Sequence, residues 1–223
     1  MIFCVEDDSA ARDLMIYTLA ASNFEAEGFS DGRGLFKALE TKRPSLIILD
    51  IMLPEEDGIS ILKKLRNKSS WSDIPIIIAS AKSTEYDKII GLDLGADDYL
   101  AKPFGMMEMV SRVKAVLRRA TPEKSGKILF CGKLSLNTAE HTVSVDSKRV
   151  RLTLKEYDLL EKFMSEPCRV FTRDQLLVSV WGSDFTGETR TVDVHVGTLR
   201  TKLGECGKYI ETVRGLGYRL EEK

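Results

Sequence analysis

The sequence predicts a doubly wound α/β domain on a five-stranded parallel sheet, followed by a smaller α+β domain. Three observations carry that expectation. Short, fully apolar runs recur at residues 2–5, 46–49 and 76–79, separated by longer stretches with helical spacing, the pattern of strands covered on both faces. A polar stretch over 120–126, with Pro122 and Gly126, then breaks the periodicity. Beyond it come short β-like runs and capped helices. Domains are therefore expected at 1–119 and 127–223, with 120–126 as a linker short enough to keep them near one another.

Taken in order, the first domain gives five strand–helix units. The helical stripes are Leu14 and Leu19; Leu35 and Leu39; Ile61, Leu62 and Leu65; Ile89, Ile90 and Leu94; and Val110, Val113 and Leu117. Two weaker strands fall near 25–29 and 98–101. In the second domain, β-like runs cover 128–131, 133–136, 142–145 and 149–152. Thr153-Leu-Lys-Glu156 is a capping box that opens a helix to about residue 164, and Thr172-Arg-Asp-Gln175 opens another to about 181. A third helix spans about 190–203, and the chain closes with a hairpin over 209–213 and 218–220.

Composition excludes several classes. With 43% hydrophobic and 30% charged residues, the 223-residue chain reads as globular. No apolar run approaches the roughly 20 residues needed to cross a bilayer, so no membrane partner is expected. The N-terminus lacks a basic region and a cleavage site, which points to a cytoplasmic protein. Cys4, Cys131, Cys168 and Cys206 are scattered, with no CxxC pair and only two histidines, so zinc is not expected and free thiols are. Residues 1–119 hold 16 Lys/Arg against 19 Asp/Glu, or −3, and residues 120–223 hold 17 against 15, or +2. That split runs in the direction of an acidic site followed by a nucleic-acid binder.

The acidic site can be placed on the sheet. Ligands bind beyond the carboxyl ends of the strands in an open parallel sheet. Glu6, Asp7 and Asp8 follow the first strand, Asp50 ends the third, Ser80 the fourth and Lys102 the fifth. Carboxylates gathered at one point repel unless a cation joins them, and Mg²⁺ (or Mn²⁺) favours such oxygen ligands. Asp50 beside the cation can attack phosphorus to give an aspartyl phosphate, Lys102 can neutralise its oxygens, and Ser80 can donate a hydrogen bond to one of them. Each feature alone has an ordinary reading, as a turn, a helix cap or a plain loop. Their coincidence at the ends of different parallel strands favours a phosphoryl site.

The motifs Val5-Glu-Asp-Asp, Leu49-Asp-Ile-Met-Leu-Pro54, Asp57-Gly58, Ala79-Ser-Ala81, Gly95-Ala-Asp-Asp-Tyr99 and Lys102-Pro-Phe104 resemble the flavodoxin-like receiver domain of bacterial two-component response regulators. The resemblance implies Asp50 as the phosphoacceptor for a sensor histidine kinase, and Glu6, Asp7, Asp50 and the Met52 carbonyl as metal ligands. It further implies Lys102 as the phosphate-binding lysine, Ser80 and Tyr99 as the switch pair, and a cis bond before Pro103. No enzyme is implied beyond Mg²⁺-dependent self-phosphorylation from a donor and slow self-dephosphorylation.

In the second half, three helices and a hairpin after a small antiparallel sheet suggest a winged helix-turn-helix. On its third helix Val192, Val196, Leu199 and Leu203 form the buried stripe. The opposite face carries Arg190, Val194, Gly197 and Thr201, flanked by His195, Thr198 and Arg200; the hairpin adds Arg214 and Arg219. The runs Leu152-Thr-Leu-Lys-Glu-Tyr-Asp-Leu-Leu160, Arg190-Thr-Val-Asp-Val-His195 and Thr212-Val-Arg-Gly-Leu-Gly-Tyr-Arg219 resemble the OmpR/PhoB-type effector domain. By that resemblance the partners are double-stranded promoter DNA and RNA polymerase, Arg190, His195 and Arg200 approach the DNA backbone, and Arg214 lies in the wing. Many relatives carry Arg or Lys where this chain has Gly197 and Thr198, so the face gives up the bidentate guanine contact, and Val194 and Thr198 can instead touch thymine methyl groups. The family also implies a homodimer on phosphorylation, pairing Lys88 with Glu108, Asp93 with Lys114 and Asp98 with Arg112, with Asp97 beside them. Two other classes stay open. A Mg²⁺-dependent phosphatase usually has a second acid near its nucleophile, and position 52 is Met. A protein-interaction regulator without specific DNA binding is the other.

Overall fold

The computed structural model describes residues 1–81, 94–120, 126–182 and 189–222. The chain divides into two compact units, Met1–Arg119 and Ala120–Lys223.

The first unit is a parallel sheet of five strands, β1 (Ile2–Val5), β2 (Ala26–Phe29), β3 (Leu46–Asp50), β4 (Ile76–Ser80) and β5 (Asp98–Ala101), in the order β2-β1-β3-β4-β5. Strands β1, β3 and β4 are buried throughout, which is why they read as continuous apolar runs. Edge strand β2 is only half-buried and correspondingly weak in sequence. Helices α1 (Ser9–Ala21), α2 (Gly32–Leu39) and α3 (Gly58–Asn67) each start on an aspartate, Asp8, Asp31 and Asp57, whose carboxylate accepts from first-turn N–H groups. Helix α4 (Met106–Ala120) follows β5. The helix expected around Ile89 and Ile90 lies outside the described residues. Two details differ from expectation. Helix α1 buries Met15 and Leu19, spaced i, i+4, so Leu14 falls off that stripe and is exposed. Helix α4 buries Val116, leaving Leu117 half-buried.

The second unit opens with an antiparallel meander of four strands, β6 (Ile128–Cys131), β7 (Leu134–Asn137), β8 (Thr142–Val145) and β9 (Lys148–Val150). Helices α5 (Leu154–Ser165) and α6 (Arg173–Trp181) both start on complete capping boxes, at Thr153/Glu156 and Thr172/Gln175. Helix α7 (Arg190–Leu203) leads through a 3-10 turn into the hairpin β11 (Ile210–Val213) and β12 (Gly217–Leu220). A two-residue strand, β10 (Phe171–Thr172), pairs with β12; its Thr172 also caps α6, which hid it in the sequence. A side chain at Gly217 would stand 2.0 Å from the Phe171 carbonyl oxygen, so the hairpin closes on this strand only with glycine there. The core draws on all three helices and both sheets, with Leu160, Phe163, Leu176, Val196, Leu199 and Leu220 all but inaccessible.

Candidate functional site

Strand register sets the first unit's pocket. Asp50 lies opposite Ala79 and Ser80 opposite Ala101, so the carboxyl ends of β3, β4 and β5 are level. Glu6 and Asp50 are almost wholly buried, Ser80 has no exposed surface, and Asp7 is exposed. The Lys102 ammonium bridges the two buried acids, 2.5 Å from Glu6 Oε2 and 2.6 Å from Asp50 Oδ2. The other Asp50 oxygen, Oδ1, accepts from the Met52 N–H at 2.8 Å. Burial pushes the Glu6 carboxyl up, only partly offset by the Lys102 hydrogen bond and charge. Burial alone would lower the Lys102 pKa, but the hydrogen bonds to Asp50 and Glu6 and the charges of those two acids together outweigh it and raise it.

One oxygen from each of Glu6, Asp7 and Asp50 comes within 4.8 Å of the others. Three hard oxygen donors, one of them open to solvent, fit a cation that keeps some of its waters, as Mg²⁺ does. Asp8 stands apart from this set. Its Oδ1 accepts from Ala10 and Ala11 N–H at 2.8 and 3.0 Å, so it is the helix cap. Arg12, which sequence reasoning missed, donates to the carbonyls of Glu6 and Asp7 at 2.7 and 3.3 Å and fixes the acidic loop; its only signal is its place one turn into α1. Behind Asp50, a side chain at Gly58 would stand 2.2 Å from the Asp50 carbonyl oxygen, so α3 starts close against β3 only with glycine. Tyr99 is buried in β5, and the Lys102–Pro103 peptide is cis.

Of the residues expected at a dimer surface, Glu108 and Lys114 are exposed on α4. Arg112 pairs within the chain, 3.2 Å from Asp98 and 2.9 Å from Glu108. Lys88 and Asp93 lie outside the described residues. Asp97 is corrected. Its carboxylate is wholly buried, 3.1 Å from Arg66 Nη2, and accepts from the Ile76 N–H at 2.7 Å, so it cannot face a second copy.

In the second unit, α7 buries Val192, Val196, Leu199 and Leu203 as expected, and exposes Arg190, Gly197, Thr198 and Thr201 beside half-buried Val194. Arg214 is exposed in the hairpin turn. Two expected backbone contacts are corrected. His195 is 2% exposed: its ring packs edge-on against Trp181 at 5.0 Å and Nδ1 lies 2.9 Å from the Thr191 carbonyl, so a second, polar stripe of α7 faces inward. Arg200 directs Nε and Nη2 to the Ile210 carbonyl at 3.0 and 2.6 Å and Nη2 to Thr212 Oγ1 at 2.9 Å, tying α7 to the hairpin. Arg219 is likewise held by Glu211 and Glu221.

Comparison with known proteins agrees with both units. Residues 2–114 match the family "Response regulator receiver domain" and residues 147–220 match "Transcriptional regulatory protein, C terminal". The chain is 45% identical over 222 residues to the phosphate regulon transcriptional regulatory protein PhoB of Rhizobium meliloti, covering 99% of this chain and 98% of the relative. It is 42% identical over 234 residues to the alkaline phosphatase synthesis transcriptional regulatory protein PhoP of Bacillus subtilis, covering 99% and 96%. Among solved structures, a RitR mutant aligns over 100% of this chain and 99% of its own, with TM-score 0.74 and 27% identity. Response regulator DrrB of Thermotoga maritima, an OmpR/PhoB homologue, aligns over 99% and 98%, with TM-score 0.50 and 26% identity.

Proposed function

The chain belongs to the OmpR/PhoB-type two-component response regulators, which act on transcription, and on that premise we propose that phosphorylation of Asp50 by a sensor histidine kinase controls its binding to promoter DNA. The observation that carries this reading is the Lys102 ammonium held between Asp50 and Glu6, 2.6 and 2.5 Å away, with Asp7 beside them. One Asp50 oxygen attacks the phosphorus of a phosphohistidine; the P–N bond breaks, and the leaving imidazole nitrogen keeps the electron pair and takes up a proton. Glu6, Asp7, Asp50 and the Met52 carbonyl would hold Mg²⁺ or Mn²⁺, which when bound neutralises phosphoryl oxygens. Lys102 releases Asp50 Oδ2 and follows the charge onto the phosphoryl group. Ser80 donates a hydrogen bond to it, and Tyr99 completes the switch.

The phosphorylated receiver dimerises through Asp98, Glu108, Arg112 and Lys114 with Lys88 and Asp93. In the isolated chain Arg112 satisfies Asp98 and Glu108 internally, so dimerisation exchanges one partner for its equivalent on the second copy. Each effector domain then lays α7 in the major groove, with Val194, Thr198 and Thr201 toward bases and Arg190 and Arg214 toward phosphates. RNA polymerase reads the bound dimer at promoters, in the cytoplasm. Intact-mass spectrometry after acetyl phosphate treatment tests the core of this reading. Wild type should gain one phosphoryl group only with a divalent cation, and Asp50→Asn none; equal modification of both would remove Asp50 from the role.

A further inference from the structure

Lys155 stands in the first turn of α5, between the two halves of a capping box, where a lysine ordinarily reaches solvent. Here it is 1% exposed. Taking an ammonium out of water is costly, so its place needs a compensating arrangement. Its Nζ donates to the Val180 carbonyl at 2.7 Å and lies 5.4 Å from the centre of the Trp181 ring. Val180 and Trp181 are the last two residues of α6, so the charge meets the negative end of that helix and one of its terminal carbonyls. Trp181 in turn packs edge-on against His195, 5.0 Å between ring centroids, and His195 Nδ1 lies 2.9 Å from the Thr191 carbonyl in the first turn of α7. A continuous path thus runs from α5 through the end of α6 into the interior side of α7.

The outward side of α7 explains why such a path matters. It offers Val194, Gly197, Thr198 and Thr201, short side chains or none, where a long arginine could adjust by changing rotamer. Short groups reach a base only if the backbone is placed correctly. Helix α7 has 14 residues, about 21 Å in length at 1.5 Å per residue, so a 10° tilt about its middle moves its ends by about 2 Å. Hydrogen-bond distances tolerate roughly 0.5 Å.

We propose that Lys155 is a positioning residue for DNA recognition: fixed to the Val180 carbonyl and the Trp181 ring, it sets through Trp181 and His195 the angle at which α7 meets the groove. The proposal rests on the DNA-binding reading above. Its reach is specific binding alone, because a buried ammonium touches no phosphate.

The test uses the full chain, activated with beryllofluoride and Mg²⁺, on two probes: a duplex carrying the site that wild type selects from random DNA, and an unrelated duplex. Lys155→Met keeps the aliphatic stem and removes the charge. It should unfold cooperatively in urea, bind the selected site at least tenfold more weakly, and bind the unrelated duplex as wild type does, with the same salt slope. Lys155→Arg should recover part of the loss. In a double-mutant cycle, His195→Gln added to Lys155→Met should cost specific binding little more than the larger single change, because both act along one path. Should Lys155→Met not fold, Lys155→Gln, which keeps a donor for the carbonyl, carries the same comparison. A folded variant with an unchanged ratio between the two probes overturns the proposal, as do equal losses on both probes. A wild-type chain that selects no site overturns the DNA-binding reading itself and this proposal with it.

Discussion

Asp97→Ala should be among the most destabilising single changes in the first unit. Its side chain has no exposed surface, and Arg66, its partner, is 9% exposed. The guanidinium also holds the carbonyls of Gly95 at 2.8 Å, Ile74 at 2.7 Å and Ser72 at 3.2 Å, so it cannot turn out to solvent without breaking three more bonds. Removing the carboxylate breaks a buried ion pair from one side, which costs about 3–5 kcal/mol. The Ile76 N–H, 2.7 Å from Asp97 Oδ2, loses its acceptor as well. A mid-range loss of about 4 kcal/mol is a large part of the 5–15 kcal/mol that stabilises a domain. For a unit spanning Met1–Arg119 the unfolding entropy is about 0.25 kcal/mol/K, so the midpoint should fall by about 16 °C. Asp97→Asn keeps an acceptor for Ile76 and should lose roughly 2 kcal/mol. Glu55→Gln is the control: Arg33–Glu55 is an exposed pair and should be worth about 0–1 kcal/mol. Differential scanning calorimetry and urea unfolding would measure all three. An Asp97→Ala unit that melts within a degree or two of wild type would refute the argument from burial.

Arg214→Ala should weaken binding to selected and unrelated duplexes alike and lower the salt slope by about one unit, as loss of a single phosphate contact does. A loss confined to one base position in a titration series would make Arg214 a base reader instead. Arg112→Glu should keep the activated protein monomeric in analytical ultracentrifugation with beryllofluoride, because it places a third acid beside Asp98 and Glu108. A variant as dimeric as wild type would exclude the proposed surface.

The sheet and the pocket were legible because both follow from short-range pattern plus one topological rule. Strands β1, β3 and β4 are buried on both faces and therefore apolar without interruption, and Glu6, Asp50, Ser80 and Lys102 follow or end parallel strands that must share an edge. What escaped was polar and buried. Asp97 sits beside half-exposed Asp98 and looks like it; its burial depends on Arg66, 31 residues away, which no spacing rule connects to it. On α7 the stripe of Val192, Val196, Leu199 and Leu203 stands out by its period, but Thr191 and His195 are polar and hid the second inward face. Lys155 was concealed in the same way inside the capping box it interrupts. Arg200 reads as a flanking cation for the DNA backbone until the hairpin carbonyl of Ile210 is placed next to it.

The central claim is that charge on Asp50 controls DNA binding, and one titration tests it directly. Affinity for the selected duplex is measured at fixed salt with Mg²⁺, with and without beryllofluoride, for wild type and Asp50→Asn. A coupling of about 1–3 kcal/mol predicts that wild type tightens by roughly 5- to 150-fold on activation while Asp50→Asn does not respond. Equal wild-type affinities with and without beryllofluoride, or the same tightening in Asp50→Asn, would contradict the account.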